Sequence, residues 1–101
     1  MEKEVSFVNI SFDGQKIVFL SSKGTNYENK SYTNIEIWIM NRNNKRQKQL
    51  THTTHYKSFS TFTPDGNQIL FLEHEKKGRG KGQIRIIDTD GTNLRTITNN
   101  Y

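Results

Sequence analysis

Apolar residues along the chain gather in short blocks separated by polar turns, and no segment keeps a helical period over two turns. The blocks are rich in Ile, Val, Phe and Trp, side chains that suit a pleated strand. They predict eight strands, at about 5–10, 16–21, 35–41, 48–51, 58–62, 68–73, 83–88 and 94–98. Asp13-Gly14 and Asp65-Gly66 are tight-turn dipeptides, because glycine takes a positive φ without a Cβ clash. Pro64 presets φ at the start of its turn, and Asn43-Asn44 and Asp90-Gly91 mark two further turns. This sorting of residues argues against a disordered chain, although apolar residues are only 31% of the total.

The chain also repeats itself. Ser11-Phe12-Asp13-Gly14-Gln15-Lys16-Ile17-Val18-Phe19-Leu20 matches Thr63-Pro64-Asp65-Gly66-Asn67-Gln68-Ile69-Leu70-Phe71-Leu72 at an offset of 52 residues. Ile37-Trp38-Ile39-Met40-Asn41 matches Ile84-Arg85-Ile86-Ile87-Asp88, and Leu50-Thr51 matches Ile97-Thr98, both at an offset of 47. The change from 52 to 47 places a middle loop five residues longer in the first copy, an insertion that a surface loop absorbs at little cost. The expectation is one domain over 1–101 made of two repeats, about 4–53 and about 54–98.

Strand, Asp-Gly turn, apolar strand, loop, Glu36-Ile37-Trp38-Ile39-Met40-Asn41, turn and Leu50-Thr51 follow one another in an order that resembles the TolB-type β-propeller repeat. Thr63-Pro64-Asp65-Gly66 and Ile97-Thr98 carry the same resemblance in the second copy. It extends from about Val5 to Thr98. It departs at Phe12, where the family usually has Pro, and at Arg85, which replaces an aromatic. The resemblance implies an all-β fold of two four-stranded antiparallel blades of a TolB-like β-propeller, a partial propeller or one completed by oligomerisation. Family propellers usually have six or more blades. The resemblance also implies a non-catalytic scaffold for a protein or peptide partner. Its alternatives are the propeller part of a hydrolase or of a metal-dependent lyase.

The second and third strands of each copy are apolar on both faces. Ile17 and Phe19 alternate with Val18 and Leu20, Ile37 and Ile39 with Trp38 and Met40, and Ile69 and Phe71 with Leu70 and Leu72. Sheets with one wetted face alternate polar and apolar residues, so each of these sheets calls for a neighbour on both sides. Stacking two sheets covers two of four faces. The outer faces are expected to leave about six large side chains in water, which at ~100 Å² each forgoes on the order of 15 kcal/mol. That points to a piece of a longer propeller or to self-association with closed symmetry.

Charge and candidate chemistry concentrate at one end of the sheets. The chain has 15 Lys and Arg against 10 Asp and Glu, a net charge of +5. A four-stranded meander sends the short Asp-Gly turns to one end and the segments 22–34, 52–57 and 74–82 to the other. That loop end holds Tyr27, Tyr32, His52, His55, Tyr56, Lys57, His74, Lys76, Lys77, Arg79 and Lys81. A positive face bearing aromatic rings suits an acidic protein or peptide, while Lys, Gly and Tyr also collect in ordinary solvated loops. His52 and His55 stand at i, i+3, a spacing that chelates transition metals, with His74 the third candidate ligand. A linker accounts for the same pattern, and no cofactor is expected. Lys76-Lys77-Gly78-Arg79-Gly80-Lys81-Gly82 lacks the Ser/Thr and following helix of a phosphate loop. Contact with nucleic-acid phosphates is its remaining alternative.

Other classes find no residues to carry them. Zero cysteines excludes disulfides, thiolate metal sites and thiol nucleophiles. No Gly-x-Ser-x-Gly elbow and no paired carboxylates are present, and Asp13, Asp65, Asp88 and Asp90 fall at turns. No apolar run is long enough to span a membrane, and Met1-Glu2-Lys3-Glu4 does not open an export signal. The literal expectation is a cytoplasmic location, or a periplasmic or extracellular one for a fragment of an exported protein.

Overall fold

The computed structural model describes residues 5–21, 35–53, 55–76 and 79–98. Eight strands follow in chain order: β1 (Val5–Ile10), β2 (Lys16–Ser21), β3 (Glu36–Asn41), β4 (Gln47–Gln49), β5 (Tyr56–Phe62), β6 (Gln68–Lys76), β7 (Arg79–Asp88) and β8 (Arg95–Thr96). They form two four-stranded antiparallel meanders, β1-β2-β3-β4 and β5-β6-β7-β8, here blade 1 and blade 2. Among the described residues no helix is long and apolar enough to cross a membrane.

The turns form as their sequences dictate. Gly14 and Gly66 both adopt φ +76. In each, the Asp before the glycine accepts from a neighbouring hydroxyl, Ser11 Oγ to Asp13 and Thr63 Oγ1 to Asp65, both at 2.7 Å. The third Asp-Gly pair, Asp90-Gly91, closes the β7–β8 connection with Gly91 at φ +91.

One core joins the blades. It takes Val18, Leu20, Ile37, Ile39 and Leu50 from blade 1 and Phe62, Ile69, Phe71 and Ile87 from blade 2. Register explains the grouping, since Val18 pairs with Ile39, Leu20 with Ile37 and Ile69 with Ile87, which puts each pair on one sheet face. The edge strands β1 and β5 lie beside one another, and the Asn9 amide donates to the Ser60 carbonyl at 3.1 Å between them.

Two expectations change. Residues 74–76 and 79–82 are strand and not loop: β6 continues to Lys76, β7 starts at Arg79, and the two pair as a hairpin through His74↔Gly82 and Lys76↔Arg79. Backbone pairing continues there without apolar side chains, so a polar, glycine-rich composition gave no strand signal. Ile84 on the third strand of blade 2 is wetted as expected, but most of the wetted apolar groups fall elsewhere than on the faces of the second and third strands. Phe19 and Trp38, on the outer face of blade 1, are buried and stacked with ring centroids 6.5 Å apart. Among the described residues the large exposed apolar side chains are Phe7, Val8, Ile10, Phe12, Phe59, Ile84 and Ile97, most of them on the β1 and β5 edges.

Candidate binding surface

The loop end rests on a buried charge cluster. Lys57 pairs across the sheet with Glu73, and its side chain is fully enclosed, with the residue only 1% exposed. Its ammonium donates to the His55 carbonyl at 2.7 Å and lies 3.1 Å from Glu36 and 3.5 Å from Glu73. Arg85 adds a hydrogen-bonded ion pair to Glu73 at 3.0 Å. Thr51 donates its hydroxyl to Glu36, and Thr53 donates to Glu73, both at 2.5 Å. Thr51 Oγ1 also accepts the Ile37 amide at 2.9 Å. Two carboxylates thus meet two cations, with Glu36 from blade 1 and the other three from blade 2. Burial pushes the Glu73 carboxyl up, but hydrogen bonds from Thr53 and Arg85 and the charges of Lys57 and Arg85 outweigh it and hold it below the usual carboxylate range.

The cluster belongs to this seam alone. At the repeat offsets, Glu36 corresponds to Gln83, Lys57 to Val5, Glu73 to Ser21 and Arg85 to Trp38, none of them charged. Lys57 therefore does not belong to a solvent-facing basic surface, as its loop-end position suggested. It neutralises carboxylates inside the protein and is withdrawn from the exposed charge.

Of the other expected residues, the structure brings Tyr56 and His74 together, on the face of blade 2 opposite Lys57 and Glu73. Tyr56 pairs with His74 in register, and their rings lie 5.3 Å apart. The His74 Nε2 is 3.4 Å from Ser58 Oγ. His55 is exposed, with Nδ1 3.9 Å from Glu73. His52 is also exposed and makes a 3.0 Å hydrogen bond with the Gln49 amide. Among the described residues no three His, Asp or Glu side chains are grouped to hold a metal ion. Lys76, Arg79 and Lys81 lie on the β6–β7 hairpin. Tyr27, Tyr32 and Lys77 lie outside the described residues.

A feature the sequence reading passed over sits on the β1 and β5 edges. Each strand breaks register at a bulge, between Ser6 and Asn9 and between Ser58 and Ser60. The bulges hold Phe7 at φ 52 and Phe59 at φ 69, a left-handed conformation that is costly for a bulky side chain. Both rings are more than half exposed, at 53% and 62%, and they lie 6.1 Å apart. The signal was available: Ser6-Phe7 and Ser58-Phe59 are identical dipeptides at the offset of 52 already set by Gly14 and Gly66.

No protein-family model matches the chain, and no curated protein matches it in sequence. Solved structures do. A protein assigned as TolB from Agrobacterium tumefaciens superposes with a TM-score of 0.68 at 21% identity, over 99% of this chain and 31% of that one. TolB from Acinetobacter baumannii gives 0.65 at 21% identity, over 97% and 21%. An acylaminoacyl peptidase, solved in complex with Z-Gly-Gly-Phe-chloromethyl ketone, gives 0.64 at 18% identity, over 91% and 18%. The chain spans less than a third of each of these structures. Its fold is that of two antiparallel blades of a TolB-like β-propeller.

Proposed function

We propose that this two-blade, TolB-like fold serves as a non-catalytic scaffold that holds an acidic protein or peptide segment across its loop end. The observation that carries the reading is the pairing of a rigid base with an open rim. The Glu36–Lys57–Glu73–Arg85 cluster fixes the ends of β5 and β6 against blade 1, His52 and His55 stand exposed, and the Tyr56–His74 ring pair lies on the other face of the same strand ends. Aromatic and imidazole rings lose little conformational freedom on binding. The proposed surface adds the basic residues Lys76, Lys77, Arg79 and Lys81 and the tyrosines Tyr27 and Tyr32 on sequence grounds.

The same reading gives blade 2 a neighbour, either a further blade or another copy. Leu70, Leu72, Ile84, Ile86 and Ile97 are the repeat equivalents of Val18, Leu20, Ile37, Ile39 and Leu50, all of which are buried in the core, whereas Ile84 and Ile97 are exposed. The likeness to the acylaminoacyl peptidase supports a second reading, a propeller part of a hydrolase, whose catalytic groups would belong to other residues.

Fluorescence anisotropy with a panel of acidic and basic peptides tests the scaffold. Saturable binding of acidic peptides, weakened about tenfold by Tyr56→Ala or His74→Ala, is expected. Acidic peptides that bind no better than basic ones, or variants that bind like the parent, would refute the assignment.

A further inference from the structure

A cleft lies at the opposite, turn end. Its volume is about 590 Å³, and its lining includes Lys16, Ile39, Asn41, Arg46, Lys48 and Thr89. Strand alternation explains its charge. Lys16 pairs with Asn41 and Lys48 with Ile39, and the Asn41 amide donates to the Arg46 carbonyl at 2.9 Å. Lys16, Arg46 and Lys48 therefore share the Ile39 side of blade 1, the side that faces blade 2. On the blade 2 side the cleft is bordered by Thr89.

The repeat shows what blade 1 lacks. The positions corresponding to Lys16, Asn41, Arg46 and Lys48 are Gln68, Asp88, Asn93 and Arg95. In blade 2, Asp88 is the hub of that set. Gln68 donates to it at 3.2 Å, Asn93 donates at 2.8 Å, and Arg95 lies 3.8 Å away. In blade 1 the hub is the neutral Asn41, whose Oδ1 accepts the Asn43 and Asn44 amides at 2.9 and 3.2 Å. Among the described residues no carboxylate lies within ion-pair distance of Lys16, Arg46 or Lys48. The Lys48 ammonium donates instead to the Asp90 carbonyl at 2.8 Å.

We propose that this cleft binds an external carboxylate, set among Lys16, Arg46 and Lys48 where blade 2 supplies the carboxylate of Asp88. Arg46 is suited to grip both carboxylate oxygens, and Ile39 offers an apolar wall to a small hydrocarbon body. Asp65, Asp88 and Asp90 border a hollow that shares Thr89 with the cleft, and their charge disfavours an extended polyanion. The ligand class is a compact organic monocarboxylate, either a free acid or a peptide C-terminus.

Amide-resolved NMR titration at constant ionic strength tests this with isovalerate, N-acetylleucine, N-acetylleucinamide and inorganic phosphate. The two carboxylates are expected to give saturable shifts at Lys16, Asn41 and Lys48. N-acetylleucinamide is expected to give none. Tighter binding of N-acetylleucine assigns a peptide terminus, and tighter binding of isovalerate assigns a free acid. Arg46→Gln is expected to weaken binding about tenfold. Asn41→Asp, which installs the hub of blade 2 and keeps the same amide bonds, is expected to abolish it in a chain that folds normally. Carboxylates that do not bind, phosphate that binds equally well, or an Asn41→Asp chain that binds like the parent overturns the proposal.

Discussion

Lys57→Met places the greatest demand on the structure. The ammonium it removes lies within 3.5 Å of four oxygens, those of the Glu36 and Glu73 carboxylates and the His55 and Ile35 carbonyls. Methionine matches the four-atom apolar stem and omits only the terminal nitrogen, so packing changes little and the lost charge dominates. Glu36 keeps Thr51, and Glu73 keeps Thr53 and Arg85, but one of two buried negative charges loses its counterion. Removing one partner of a buried ion pair costs about 3–5 kcal/mol, a large part of the ~5–15 kcal/mol that holds a domain of this size together. With a urea slope of roughly 1–1.5 kcal/mol per molar, the unfolding midpoint should fall by about 2–5 M. Adding Glu36→Gln to Lys57→Met should recover at least ~1 kcal/mol, because it removes the stranded charge. A Lys57→Met chain within ~0.5 kcal/mol of the parent, or a double variant weaker than the single one, would show that the ammonium does not hold the seam.

Further outcomes follow from the same geometry. The folded carboxyl of Glu73 is held below its ordinary value, so its stabilising effect is complete above the unfolded pKa of about 4.3 and is lost as pH falls through the lower folded value. Urea midpoints should therefore be level near neutrality and decline below about pH 4.5, less steeply in Glu73→Gln. Phe59→Gly relieves a positive φ at an exposed ring and should stay within ~1 kcal/mol of the parent, whereas Phe71→Ala, which opens the core, should cost about 3–5 kcal/mol by the same assay. Gly66→Ala adds a Cβ with nothing within 4 Å of it, so its loss of about 1–2 kcal/mol should reflect backbone conformation alone.

The fold was legible because its signals are local. Ile, Val and Phe blocks, Asp-Gly turns and two matching copies specify strands, hairpins and blades before any contact is known. The core followed from alternation, as Val18, Leu20, Ile37 and Ile39 show by sharing one face. The charge cluster was not legible. Lys57 sits among polar residues at a strand end, and its burial depends on Glu36, which is distant in sequence and reaches it only when the blades pack. Extension of the β6–β7 hairpin was hidden for a related reason, since main-chain pairing at Lys76 and Arg79 needs no apolar side chain. The bulged phenylalanines carried a sequence signal, the repeated Ser-Phe, but their positive φ is a property of the ladder on which they sit.

The fold depends above all on the two sheets sharing one interior. Methyl–aromatic nuclear Overhauser spectroscopy measures that directly. Contacts are expected between methyls of the Val18, Leu20, Ile37 and Ile39 group and the Ile69, Ile87, Phe62 and Phe71 group. Strong contacts inside each sheet with none between the two groups would contradict it.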